Sequence, residues 1–103
     1  MAKQWGHSRG NELILKIATI VYMVTAIMTG PQGEKLTPRY EAMIFDTLAE
    51  CQQALSYEPF ARLMAESVSL AYPDYLLDQV GCGAWDMDHR GDQPFAELPK
   101  EFY

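Results

Sequence analysis

Basic residues and histidines are scarce in this chain, and their scarcity limits what it can bind. Its 103 residues include eight Lys and Arg, fourteen Asp and Glu, and two His, for a net charge of −6. Because neutralising nucleic-acid phosphates takes clustered Lys and Arg, we expect no direct nucleic-acid binding. Catalytic nucleophiles need a nearby histidine, whereas His7 and His89 lie near opposite ends of the sequence.

Cysteine is also rare, with only Cys51 and Cys82 present. Two residues so far apart make neither a disulfide framework nor the short paired spacings of a zinc site. We expect both cysteines to be reduced and partly buried. The sequence also lacks a Gly-rich phosphate loop and a zinc-protease motif. It therefore predicts no enzyme, no catalytic residue and no cofactor.

The sequence has no hydrophobic run long enough to cross a bilayer. The most apolar segment, LILKIATIVYMVTAIM at residues 13–28, has 16 residues and contains Lys16, whereas a membrane span needs about 20 apolar residues. Glu12 abuts this run and no small-residue cleavage pattern follows it, unlike in a signal peptide. We therefore expect a cytoplasmic protein that does not associate with a membrane.

What the sequence does contain is a globular composition, with 49% hydrophobic and 21% charged residues. A chain of this length forms one domain. Asn11 is a suitable N-cap and Gly30-Pro31 a stop signal, so the interval between them predicts a first helix. Its β-branched residues favour a strand instead, and two strands joined near Tyr22 are the alternative.

Three further helices are predicted downstream. Thr37-Pro38 resembles a helix start, and apolar residues then recur at helical spacing: Tyr40, Ile44, Leu48, Cys51 and Leu55. Pro59 would open a third helix that Pro73 closes, with an inward face made of Phe60, Leu63, Met64, Val68 and Ala71. Residues 73–81 predict a short fourth helix capped by Gly81.

Short connections between helices favour antiparallel neighbours. The expected fold is therefore all-α, a small bundle of three to four helices with irregular N- and C-terminal arms. Residues 1–10 would be a polar N-terminal arm, residues 11–81 the helical domain, and residues 82–103 an acidic, aromatic C-terminal tail.

The tail contains a segment, WDMDHRGDQPFAE at residues 85–97, with the spacing of a calcium-binding loop. The matching positions are Asp86, Asp88, Gly91 and Glu97, the first, third, sixth and twelfth of an EF-hand loop. Arg90 stands where an oxygen ligand is needed, and the six residues that follow are too few for an exiting helix. We therefore predict no metal site, with weak calcium binding as the alternative.

The acidic excess is confined to the second half of the chain. Residues 1–57 hold equal numbers of acids and bases, whereas residues 58–103 hold nine acids and three bases. Such a surface attracts a basic partner. The simpler alternative is that the charge only keeps the protein soluble.

Both ends of the chain carry aromatic residues of the kind that anchor protein interfaces. The predicted partner-binding residues combine these aromatics with the acids of the tail: Trp5, Trp85, Asp86, Asp88, Asp92, Phe95, Phe102 and Tyr103. The alternative is that the aromatic side chains pack within the chain itself.

These features predict a small, acidic, non-enzymatic protein-binding module with a larger partner that presents a basic surface. In its narrower form the chain is a mobile-element or phage type of inhibitor that blocks a basic nucleic-acid-binding surface of its partner. The alternative is a structural accessory subunit of a multiprotein assembly, such as a virion, held in place by its terminal arms. A homo-oligomer is compatible with both.

Overall fold

A computed structural model describes residues 5–6, 20–86 and 98–103 of the chain. These residues form a mixed α/β fold in which two helices pack on one face of an antiparallel sheet. The elements in chain order are β1 (Trp5–Gly6), β2 (Ile20–Thr29), β3 (Lys35–Leu36), β4 (Arg39–Tyr40), α1 (Leu48–Ser56), α2 (Glu58–Ala71), β5 (Leu76–Asp86) and β6 (Glu101–Phe102). The prediction of an all-α helical bundle is therefore wrong.

Strand β2 occupies the second half of the segment predicted as the first helix. Its side chains alternate, with Val24, Ala26 and Met28 in the core beneath the helices and Val21 and Met23 in a cluster on the opposite face. Because both faces of β2 are buried, its apolar residues follow one another without the apolar–polar alternation that would identify a strand. The β-branched content of the segment was the correct signal, and β2 continues through Tyr22 as one strand.

The sheet is built around the pairing of β2 with β5. The strand order is β1-β4-β2-β5-β6, and β3 also pairs with β2. The β2–β5 register runs from Ile20 opposite Asp86 to Thr29 opposite Leu76, with a bulge at Asp78. A bulge of this kind twists a strand locally, and here it directs the Asp78 carboxylate toward Thr29.

The second helix begins later than predicted. Pro38 lies in buried, extended backbone, and its carbonyl accepts a hydrogen bond from the Ala26 amide at 3.0 Å. Phe45 and Tyr22 exchange two backbone hydrogen bonds of 2.8 and 2.9 Å, which hold the following segment against β2. Helix α1 starts only after Thr47, whose hydroxyl accepts from the Glu50 amide. The sequence contains two Thr caps, and the structure uses the second.

Helix α2 confirms the third predicted helix, with Pro59 in its first turn and Pro73 just beyond its end. Met64 and Val68 are buried as expected, but the side chain of Leu63 is 56% exposed. The prediction that Leu63 faces inward is therefore wrong. Neither described helix has the length and hydrophobicity that a membrane span requires.

The predicted fourth helix is strand β5, and Gly81 lies within the strand and does not cap a helix. A Cβ at Gly81 would approach Phe102 Cζ to 2.8 Å, and one at Gly83 would approach Thr25 Oγ1 to 2.5 Å. Both glycines therefore permit close packing on the sheet face away from the helices. Strand β5 also runs through the boundary between residues 81 and 82 that the sequence suggested.

Candidate partner-binding surface

A disulfide ties the helices to the sheet beneath the candidate surface. Cys51 of α1 and Cys82 of β5 are bonded, with their Cα atoms 6.1 Å apart, and both are fully buried beside Met64 and Val68. The expectation of reduced, partly buried cysteines is wrong. The 31-residue separation contains no spacing motif that would have indicated the pair, whereas the fold brings the two residues together.

The outer face of α2 carries two large apolar side chains among its polar residues. Leu63 and Leu70 are 56% and 78% exposed, and they lie seven residues apart, two helical turns along one face. An amphipathic helix usually carries polar residues on its outer face. Helix α2 therefore has an apolar inner face in the core and a second apolar ridge that the described residues leave uncovered.

A groove runs between α1 and the Leu63 side of this ridge. It has a volume of about 410 Å³ and is lined by Met43, Ala54, Tyr57, Pro59, Phe60 and Leu63. We call it the interhelical groove. Tyr57 forms its end because it connects the helices, donating its amide to the Ala54 carbonyl at 3.2 Å and accepting from the Ala61 amide at 3.1 Å.

A second depression lies on the other side of α2, toward β5. Its volume is about 480 Å³, and its lining mixes apolar and charged residues: Arg62, Ala65, Glu66, Ser69, Leu70 and Leu77. We call it the β5-side depression. The interhelical groove therefore has no charged lining residue, whereas the β5-side depression has Arg62 and Glu66 among apolar ones.

The segment that carries both helices, residues 41–74, is strongly acidic, and we call it the helix layer. Its charged residues are Glu41, Asp46, Glu50, Glu58, Arg62, Glu66 and Asp74. Arg62 is its single base, and its guanidinium forms an ion pair with Glu58 on the same helix. The segment that carries the apolar ridge thus has an excess of negative charge, although the Glu41 carboxylate pairs with Arg39.

The opposite face of the sheet is organised by an arginine stacked on a tryptophan. The Arg39 guanidinium carbon lies 4.2 Å from the centre of the Trp85 ring, a cation–π contact, and Glu41 pairs with the Arg39 Nε at 3.4 Å. The Trp85 indole donates a hydrogen bond to Thr25 Oγ1 at 3.0 Å. Gly83 leaves room for that bond, since a Cβ there would meet both bonded atoms.

The predicted partner-binding residues that the structure describes lie in different parts of the sheet. Trp5 lies in β1 at one edge of the sheet order and Phe102 in β6 at the other. Trp85 is only 3% exposed, so its ring packs inside the chain.

Asp86 and Tyr103 are the other predicted site residues that the structure describes. Asp86 ends β5 opposite Ile20 and is half-buried. Tyr103 is about half exposed, and its hydroxyl donates to the Glu101 carboxylate. The structure does not describe three of the predicted residues, Asp88, Asp92 and Phe95. Most of the calcium-like segment also lies outside the described residues, and its first two residues, Trp85 and Asp86, belong to β5.

One surface carboxylate has a clear electrostatic perturbation. The Thr29 hydroxyl donates to Asp78 Oδ2 at 2.6 Å, and the Lys35 ammonium lies 3.4 Å from the same oxygen. The hydrogen bond from Thr29 is the main reason that the pKa of Asp78 lies below its ordinary value of 3.8. Desolvation opposes it, and the hydrogen bond and charge of Lys35 add to the lowering. These contacts link β2, β3 and β5 at one end of the sheet.

Sequence reasoning missed the helix layer as a candidate site. The apolar stripe of Met64 and Val68 is enough to predict the helix, so the pattern places Leu63 in the core and gives Leu70 no role. The available signal was that α2 carries large apolar residues on two faces, which a single core does not require. The exposed Met43, before α1, and Tyr57, between the helices, join this site only because the fold brings them beside Leu63.

Comparison with known proteins gives no relative for this chain: no protein-family model, curated protein or solved structure matches it.

Proposed function

We propose that the chain is a small, acidic, non-enzymatic module that binds a larger protein through a basic, partly apolar surface of that partner. The observation that carries this proposal is the exposed apolar ridge of α2 within the acidic helix layer. Exposed apolar side chains gain free energy when a partner covers them. The surrounding carboxylates favour partners of opposite charge and speed their encounter.

The charge distribution is more specific than the composition alone. Six of the seven charged residues of the helix layer are acidic, and the one base is already paired with Glu58. The excess charge lies in the same layer as the apolar ridge, where a partner that covers the ridge would meet it. Its position therefore supports a recognition role.

One narrower form of this proposal and one alternative to it remain predictions. In the first, the carboxylates imitate phosphates and block a nucleic-acid-binding surface of the partner. In the second, the chain is a structural accessory subunit of a larger assembly. They differ in salt dependence, because a phosphate mimic loses affinity steeply as salt rises, whereas a subunit held by apolar contacts does not.

The compartment bears on which partners the chain can meet. A cytoplasmic location is still a prediction, and the buried Cys51–Cys82 disulfide is typical of oxidising compartments. Rapid alkylation of free thiols in the cells that make the protein distinguishes the two. Alkylated cysteines would support the cytoplasm, and protected, bonded cysteines would support an oxidising compartment.

The proposal is tested by selecting random peptides of about 16 residues, long enough for roughly 24 Å of helix, on the immobilised, oxidised chain. We expect the selected peptides to be enriched in Lys and Arg interspersed with large apolar residues, and to release at high salt. Selection of acidic or uncharged peptides, or no selection at all, would contradict the proposed function.

A further inference from the structure

We infer that the interhelical groove is the anchor site for an apolar side chain carried by an amphipathic, basic helix of the partner protein. This inference rests on the proposed function. It adds the chemistry of the partner segment and the place on this chain where that segment binds.

The lining of the groove indicates an apolar guest. All six lining residues are apolar or aromatic, and four of them are exposed to solvent: Met43, Tyr57, Pro59 and Leu63. The β5-side depression includes both Arg62 and Glu66, whose desolvation would oppose an apolar side chain. A volume of about 410 Å³ lies within the range of pockets that enclose apolar groups.

The shape of the surface indicates that the guest belongs to a helix. Leu63 and Leu70 form a ridge along α2, with a groove on each side of it. Helices pack by fitting the ridge of one into the groove of the other, with apolar contacts recurring every three to four residues. Helix α2 spans 14 residues, about 21 Å, which is long enough to contact about four turns of a partner helix.

The charges around the groove indicate a basic helix. Glu50 is exposed and precedes the lining residue Ala54 by one turn of α1, which puts its carboxylate on the side of α1 that borders the groove. Glu58 follows Tyr57 at the start of α2. Lys and Arg residues flanking an apolar anchor would therefore meet carboxylates when the anchor is seated.

The same charges disfavour a second copy of this chain as the occupant. A symmetric dimer through α2 would place one helix layer, with six acids and one base, against another of the same sign. Like charges brought together across an interface oppose binding. A basic partner segment avoids this repulsion and also covers the ridge.

The groove is held in shape before any partner arrives. The Cys51–Cys82 bond fixes α1 to β5, the Thr47 cap fixes the start of α1, and α1 joins α2 through Tyr57 alone. A preformed site loses less conformational entropy on binding than one that must be ordered.

The test uses a designed Leu/Lys peptide of about 16 residues with leucines at helical spacing, and two controls. One control is a Leu/Glu peptide of the same pattern, and the other has the Leu/Lys composition without helical spacing. Affinities are measured for the oxidised chain and for Met43→Ala/Leu63→Ala. Leu98→Ala is the matched variant, since Leu98 is similarly exposed but lies outside the helix layer.

We expect the Leu/Lys helix alone to bind, with at least a tenfold loss for Met43→Ala/Leu63→Ala and none for Leu98→Ala. Amide shifts of the ¹⁵N-labelled chain should change most around Ala54, Tyr57, Phe60 and Leu63. This mapping needs no variant and so does not depend on the folding of one.

If peptides bind but the shifts map elsewhere and the groove variant binds normally, the groove assignment is wrong while the proposed function stands. If the Leu/Glu peptide or the unpatterned Leu/Lys peptide binds equally well, the basic helix is wrong as the occupant. Dimerisation of the chain through this groove in sedimentation would also overturn the inference. If neither the designed peptides nor the peptides selected from the random set bind, both the groove assignment and the proposed function are wrong.

Discussion

Reduction of the Cys51–Cys82 disulfide should cost this chain a large part of its stability. The bond closes a loop whose ends are 31 residues apart, and a loop of that length corresponds to about 4 kcal/mol of chain entropy in the unfolded state. A domain of this size has a total stability of about 5–15 kcal/mol. The loop contains all of α2, so the loss acts directly on the helix layer.

The assay compares urea unfolding of the oxidised chain with that of the same chain after reduction, followed by circular dichroism at equal pH. We expect a free-energy difference of about 4 kcal/mol and a melting temperature lower by roughly 15–30 °C. A Cys51→Ala/Cys82→Ala chain that needs no reductant serves as a second reference. A difference below about 1 kcal/mol would refute the reasoning, because the loop would then be constrained by something other than the bond.

Other substitutions test the packing and the electrostatics. Gly83→Ala would place a Cβ 2.5 Å from Thr25 Oγ1; we expect a loss of about 1–3 kcal/mol and a shifted tryptophan emission, and normal stability would contradict the close approach. On α2, Val68→Ala should cost about 2 kcal/mol and Leu70→Ala less than about 0.5 kcal/mol in urea titrations; equal costs would contradict the assigned faces. Because the folded pKa of Asp78 is below 3.8, its stabilisation is present above about pH 4 and disappears as the pH falls through the folded value. Asp78→Asn should therefore lose less stability on acidification than the wild type, and identical pH profiles would exclude the effect.

The elements that the sequence predicted correctly are those with local signals at both ends. Pro59 and Pro73 bracket α2, and an apolar stripe between them faces the core, so the helix needed no tertiary information. The end of α1 was also predicted, but its start was not. Thr37-Pro38 has the local chemistry of a helix start, and only the pairing of Pro38 with β2 decides against it.

The elements that were predicted wrongly depend on contacts distant in sequence. Strand β2 is buried on both faces because helices cover one side and the Trp85 cluster lies on the other, and two-sided burial hides the period of a strand. In the sequence Gly81 resembles a helix cap, and only the fold shows that it leaves room for the Phe102 ring. The disulfide depends on α1 crossing β5, which no spacing between Cys51 and Cys82 could show.

The acidic helix layer as a partner-binding surface is tested most directly by the salt dependence of peptide affinity. The dissociation constant of the best selected peptide would be measured at about 0.05 M and about 0.5 M salt. The chain would be compared with Glu50→Gln/Glu58→Gln/Glu66→Gln and with Glu101→Gln, which removes a carboxylate outside the layer. We expect the triple variant to bind more weakly at low salt and to lose most of its salt dependence, while Glu101→Gln behaves like the wild type. Equal salt dependence in all three proteins would contradict recognition through the helix layer.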